Sequence, residues 1–242
     1  VEAAGASSGK VGITPSFYQT MRELTLKYGT LLHFDEVITA FRYSPGGVQA
    51  AMNITPDLTS LGKSVNGGIP GAGAVVGRAE IMNMLLFKDD HWNRGRRVSH
   101  TGTFNASPVC AASGIETLKI LATGDPQRKA NELALILRQA MQKAMDELGI
   151  IGCVYGDFSV FHIYIGDCDM QGSCDKRICL NEDKLMPAST GNALAMNFTL
   201  NGVHVPTYGA KGFLSAVHTK EDVDKTAEAF RDVLSSMIKE EP

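Results

Sequence analysis

The sequence contains no apolar run approaching the ~18 residues that a membrane-spanning helix requires, and no segment with the charged-then-apolar form of a signal peptide. Neither sign of charge is in large excess: 23 Lys and Arg stand against 26 Asp and Glu, a formal net charge of −3. That balance gives no reason to expect nucleic acid or an anionic membrane as a partner. Basic residues do gather at Arg94, Arg96 and Arg97, a pattern that a solvated loop accounts for. The five cysteines, Cys110, Cys153, Cys168, Cys174 and Cys179, are odd in number, which fits a reducing compartment better than a disulfide framework. The spacing of the last three matches no common zinc site, so no metal is expected. The expectation is a cytoplasmic protein without a nucleic-acid or membrane partner. There is no internal repeat and no low-complexity segment. What remains is ordinary for a globular chain: 242 residues, 44% hydrophobic and 20% charged, enough for one large or two small domains.

The most informative stretch runs from Leu31 to Lys63, LLHFDEVITAFRYSPGGVQAAMNITPDLTSLGK. Leu31, Leu32, His33 and Phe34 read as a short buried strand ending at Asp35. Open α/β sheets bind ligands beyond the carboxyl ends of their strands, which puts Asp35 and Glu36 where a ligand site would lie. A loop with Pro45, Gly46 and Gly47 follows, then Pro56-Asp57-Leu58 opening a second short apolar stretch, then Lys63 and the glycine-rich Asn66-Gly67-Gly68-Ile69-Pro70-Gly71. An acid and a lysine are the two groups that pyridoxal phosphate needs, the lysine for its Schiff base and the acid to keep the pyridine nitrogen protonated. On spacing alone, a salt-bridged strand-end aspartate and a surface lysine stand ahead of that reading, because an acid and a lysine recur in every chain.

The literal residues go further. FDEVITAFR, GGVQA, TPDLTSLGK and GGIPGAGAVVGR, in that order and with Lys63 following Asp35 by 28 positions, closely resemble the class III aminotransferases. Within them the likeness is to the glutamate-1-semialdehyde 2,1-aminomutase branch. The resemblance implies an α/β enzyme of fold type I that uses pyridoxal 5'-phosphate. It implies that Asp35 faces the pyridine nitrogen, that Val37 packs against the ring, and that Lys63 carries the cofactor as a Schiff base. Ser99 to Pro108, SHTGTFNASP, resembles the family's GTxxxNP segment. By that likeness Gly102 and Thr103 reach the phosphate of the neighbouring subunit's cofactor, in a homodimer. Ser7 falls where many relatives place a polar residue near the cofactor, and a turn serine explains it equally well. The opening VEAAGASSGKVGITPSFYQTMREL resembles a segment that lies well past the family's midpoint. The resemblance therefore covers only the C-terminal half or so of the family. It implies a preceding half that supplies a glycine- and serine-containing loop for the phosphate and an aromatic residue for the ring's open face.

Along the rest of the chain, Phe17, Met21, Leu24 and Tyr28 are spaced as one face of a helix that Gly29 stops. Gly73 to Gly77 reads as a strand, so Lys63 lies between two strands. Ala79 to Phe87 looks helical, Phe87 to Arg97 reads as a surface loop near the mouth of the site, and Ser107-Pro108 caps a helix reaching about Ala122. A long helix opens at Asp125, with Leu133, Leu137, Met141, Ala144 and Leu148 in one stripe. Strands are expected over 159–165, 194–199 and 212–217, with a short one at 203–206. Thr219 and Asp222 cap a last helix buried along Val223, Ala227, Phe230, Leu234 and Ile238. His162 reads as a packed core histidine and His100 as a loop histidine close to Gly102. His204 and Tyr208 lie where relatives differ in substrate contacts. Residues 1–125 are then the C-terminal part of a cofactor-binding large domain, a mostly parallel sheet with helices. Residues 126–242 are a linking helix and a small α+β domain.

The function so implied is amino-group transfer between a small-molecule amino donor and a carbonyl acceptor, with Lys63 as base and acid in the proton shift. Transfer within one molecule would be an aminomutase, and between two molecules a transaminase. Aminomutases place an acid a few positions before the final Gly-Phe strand, and here Ala210 occupies that place, which leaves the two equally open. The alternative is an incomplete or non-catalytic fragment of such an enzyme, lacking the N-terminal half of the site.

Overall fold

The computed structural model describes residues 1–5, 13–71, 73–166, 186–206 and 211–240, with side chains as far as 237. The chain divides into two compact units, Val1–Ala4 with Thr14–Gly124, and a second built on the residues from Asp125 onward.

The first unit opens with α1 (Pro15–Lys27). Thr14 Oγ1 accepts the Phe17 amide at 3.3 Å, and Pro15 sits in the first turn, where its missing N–H is not needed. Its buried residue is Tyr18, whose ring lies 6.2 Å from Phe34 and whose hydroxyl donates to the Ala3 carbonyl. Phe17, Leu24 and Tyr28, which share a stripe by spacing, lie exposed. Three strands follow, β1 (His33–Asp35), β2 (Leu58–Leu61) and β3 (Ala74–Gly77), which pair in that order. β1 and β2 are parallel, with Asp35 opposite Ser60, while β3 runs antiparallel, with Ala74 opposite Leu61. Parallel neighbours need a crossover, and the stretch carrying the short helix α2 (Gly47–Ala51) provides it. On the other side of β1, Glu2 pairs in parallel with Asp35.

At the amino end of β2, Asp57 is buried and ties three segments together. Its Oδ2 accepts from the Leu32 amide at 2.7 Å and from Arg22 of α1 at 3.0 Å, and its Oδ1 accepts from Arg78 beyond β3 at 2.9 Å. Burial works to raise the pKa of this carboxyl, but the Leu32 amide and the Arg78 and Arg22 guanidiniums outweigh it and hold the group below the usual carboxylate range. Beyond β3, α3 (Ala79–Met82) is followed by a 3-10 turn over Asn83–Leu85, shorter than the helix expected to Phe87. The expected loop over 87–97 contains α4 (Asp90–Gly95), knit by Asp89 accepting the Trp92 amide at 2.9 Å and by the Lys88 ammonium 3.8 Å over the Trp92 ring. α5 (Pro108–Leu121) starts at a Ser107 cap as expected.

The second unit packs α6 (Asp125–Glu147), α7 (Ala188–Leu200) and α8 (Lys220–Glu240) with an antiparallel sheet of β4 (Gly152–Tyr155), β5 (Val160–Ile165) and β6 (Lys211–Phe213). Leu137, Met141, Phe161, Leu194, Phe198 and Phe230 lie in its core, with Phe198 and Phe230 stacked at 5.7 Å. Thr219 and Asp222 form the expected reciprocal cap of α8, each side chain accepting the other's amide, at 2.7 and 3.2 Å. His162 is buried and stacked on Tyr155, a packed core histidine.

Three strand expectations are corrected here. Residues 194–199 are not a strand but lie inside α7. The buried positions Gly191, Leu194, Ala195 and Phe198 follow the spacing of one helical face, which a short apolar run read without its flanks conceals. Nor do residues 203–206 form a strand, and the expected strand over 212–217 is confined to Lys211–Phe213. Ser7, Cys168, Cys174, Cys179, Tyr208, Ala210 and the Ile238 side chain lie outside what is described.

Candidate active site

The site is built from the carboxyl edge of the parallel pair in the first unit. Burial alternates along the entry to that edge: Leu32, Phe34 and Glu36 point inward, and His33 and Asp35 are exposed. The two adjacent acids are thereby sorted. Glu36 is fully buried, and its carboxylate accepts from the Val48 amide at 2.8 Å, the Gln49 amide at 3.1 Å, the Gln49 side chain at 3.2 Å and the Thr39 hydroxyl at 3.1 Å. It is a structural anchor for the crossover. Asp35 keeps its carboxylate at the open edge, where Oδ1 accepts the Val37 amide at 3.0 Å. Sequence reasoning put both acids at a ligand edge, and the Leu32, Phe34, Glu36 alternation is the signal that separates them.

β2 leaves the sheet at the same edge and enters a 3-10 turn at Lys63–Asn66. Lys63 is exposed and adopts φ +49, a left-handed conformation that side-chain-bearing residues hold only when their surroundings enforce it. The residue before it, Gly62, is where β2 meets the acid's own loop: a Cβ there would lie 3.0 Å from Val37 Cγ1. Asp35, Val37 and Lys63 are thus assembled at one sheet edge by register and by a glycine contact.

Gly102 and Thr103 lie on a separate exposed turn ahead of α5, closed by the Asn105 amide donating to the Gly102 carbonyl at 3.0 Å. Ala106 in that turn also has a left-handed backbone, φ +57. The two turns meet at a cavity of about 510 Å³, lined on one side by Val65 and Asn66 and on the other by Phe104 to Ser107, with His100 at its wall. Thr103 and Lys63 flank that cavity in sequence without lining it. Among the described residues neither Asp35 nor Lys63 has an ion pair, so the salt-bridged aspartate that spacing favoured is not formed, while the lysine does lie at the surface.

The donor set fits pyridoxal phosphate: an unpaired primary amine on a constrained turn, a carboxylate at the adjoining strand end, and an apolar Val37 between their two loops. The fold is that of the type I pyridoxal-phosphate-dependent transaminases, as the solved structures it superposes on show. The class-III aminotransferase family pattern matches residues 1–157, and the chain belongs to that family. It is 33% identical over 240 residues to the glutamate-1-semialdehyde 2,1-aminomutase of Limosilactobacillus reuteri, covering 99% of this chain and 52% of that protein. With the enzyme of the same name from Pyrobaculum aerophilum it shares 34% over 241 residues, again 99% of this chain and 53% of the relative. Among solved structures, an omega-transaminase from Sphaerobacter thermophilus superposes with a TM-score of 0.79 at 31% identity, over 97% of this chain and 50% of that one. A glutamate-1-semialdehyde aminomutase from Pseudomonas aeruginosa, at 22% identity and TM-score 0.78 over 97% and 51%, shares the fold. The chain spans about half the length of the curated relatives it matches.

Proposed function

We propose that this chain contributes to pyridoxal-phosphate-dependent transfer of an amino group between small molecules, with Lys63 as the lysine that binds the cofactor covalently. The observation that supports it most is the parallel register of β1 and β2, which brings Asp35 and the Lys63 turn to one edge with Gly62 against Val37. The bound cofactor supplies an electron sink for a carbanion at the substrate's amino carbon. The Asp35 carboxylate, free on its Oδ2, would hold a proton on the ring nitrogen. Val37 would face the ring. The Lys63 amine would take a proton from the substrate carbon and return one, as general base and then acid. Gly102 and Thr103 would offer an amide and a hydroxyl to a phosphate, in a homodimer where the turn serves the neighbouring subunit's cofactor. The exposure of that turn, on the opposite side of the cavity from the Lys63 turn, supports this reading. The protein would act in the cytoplasm. Among the described residues no helix is long and apolar enough to cross a membrane.

Two outcomes of the transfer remain distinct. The relatives named aminomutase favour exchange within one molecule, while Ala210 in place of an acid favours exchange between two. The test is a spectrum of the chain mixed with pyridoxal phosphate. The visible band of a lysine-bound cofactor is expected in the wild type and absent in Lys63→Ala. An undiminished band in Lys63→Ala would end the assignment.

A further inference from the structure

The turn that carries Lys63 packs against α5 through Val65 and Gly67, and the contact has a form that only glycine permits. A Cβ on Gly114, in the middle of α5, would lie 2.6 Å from the Val65 carbonyl oxygen. A Cβ on Gly67, at the end of the lysine turn, would lie 2.3 Å from Ser113 Oγ and 2.8 Å from the Ser113 carbonyl. Between these two contacts Ser113 Oγ donates to the Gly67 carbonyl at 3.3 Å. Cys110, Ser113, Gly114 and Thr117 share one helical face, and all four side chains are small. Glycine inside a helix is less stable than alanine, so its presence calls for a contact that alanine cannot make. The Val65 carbonyl is that contact.

The turn is short enough to transmit the contact. The Val65 amide donates to the Gly62 carbonyl at 3.2 Å and the Gly67 amide to the Ser64 carbonyl at 3.2 Å, so Lys63 lies within a loop closed at Val65. Gly62 meets Val37 on the side of the acid, and Gly114 meets Val65 on the side of the helix. Lys63, at φ +49 and with no partner for its side chain among the described residues, lies between them.

We propose that Gly114, with Ser113 and Gly67, is the positioning element for Lys63, setting where its amine stands relative to the Asp35 edge through the Val65 carbonyl. This rests on Lys63 being the cofactor lysine. A methyl at Gly114 displaces backbone, which is stiff, and not the end of a flexible side chain. The turn must then shift and carry Lys63 with it.

The test compares the wild-type chain with Gly114→Ala and with Ser113→Ala, which removes the hydrogen bond without adding bulk. Two probes are read by peptide mass spectrometry. One is capture of pyridoxal phosphate on Lys63 by borohydride, and the other is the rate of reductive methylation of Lys63 by formaldehyde with cyanoborohydride at one pH, which needs no cofactor. Lys119, on the surface of α5, is the internal reference. Capture at Lys63 should fall roughly tenfold to a hundredfold in Gly114→Ala, the range expected for a misplacement near 1 Å, and less in Ser113→Ala. The Lys63 methylation rate should change in both variants while that of Lys119 stays put. A folded Gly114→Ala with unchanged capture and an unchanged Lys63 rate overturns the proposal. Should Gly114→Ala fail to fold, an unchanged Lys63 rate in Ser113→Ala does the same. If the wild type captures the cofactor on another lysine, the functional assignment fails, and the methylation rates still decide the positioning.

Discussion

The carboxylate of Glu36 occupies the space that a side chain on Gly47 would need: a Cβ on Gly47 would lie 2.4 Å from Glu36 Oε2. Gly47 has φ +71, so the chain turns left-handed there and offers the Val48 and Gln49 amides to the acid. Among the described residues no cation pairs with this buried carboxylate, and amides and a hydroxyl surround it instead. Gly47→Ala should therefore destabilise the first unit by at least about 1–3 kcal/mol from the backbone alone. Glu36→Gln should cost about 1–3 kcal/mol by leaving a buried amide unmatched. Urea unfolding of each variant checks both, and wild-type stability in either would refute this account of the crossover.

Asp57 gives the pH prediction. Its folded pKa is lowered, so its ionised form contributes stability above the unfolded carboxylate value, near pH 3.9, and that contribution is lost as pH falls through the folded value. Asp57→Ala should cost about 3–5 kcal/mol at pH 7, since it leaves the largely buried Arg22 without its ion-pair partner. The gap between variant and wild type should narrow in acid below about pH 4. A gap independent of pH would show that the ion pairs contribute nothing.

Met196 separates the two conformations of residues 194–199. In a strand it would share the buried face of Leu194 and Phe198. In α7 it is exposed, at 68% of its surface, while those two are buried completely. Met196→Lys should shift stability by no more than about 0.5 kcal/mol, whereas Phe198→Ala should cost about 3–5 kcal/mol. A severe loss in Met196→Lys would contradict the helix.

Thr103→Ala should weaken retention of pyridoxal phosphate by about 1.5–3 kcal/mol, the range for a hydrogen bond to a charged group. Because a ligand held only by the assembled state stabilises that state, the same variant should lower dimer content at limiting cofactor. Cofactor titration and sizing at several concentrations read both effects. Unchanged affinity would remove Thr103 from the site.

Much of the first unit was legible because its signals are local. A short apolar run ending in charge gave β1, Gly29 and Ser107 gave helix boundaries, and the literal motifs singled out Asp35, Lys63 and Thr103 as the candidates proposed above. What was not legible depends on contacts between distant residues. The inward turn of Glu36 needs the Val48 and Gln49 amides, the role of Asp57 needs Arg22 and Arg78, and the use of Gly114 needs the Val65 carbonyl. The α7 error has a different origin: Leu194 to Thr199 is too short to show its period, and the deciding position, Gly191, lies outside the run.

Lys63 carries the central claim, and trapping tests it most directly. The chain is incubated with pyridoxal phosphate, reduced with borohydride, digested and mapped. The account predicts the cofactor's mass on the peptide containing Lys63, lost in Lys63→Ala and diminished in Asp35→Asn. Label on a different lysine, or label indifferent to Lys63→Ala, would contradict it.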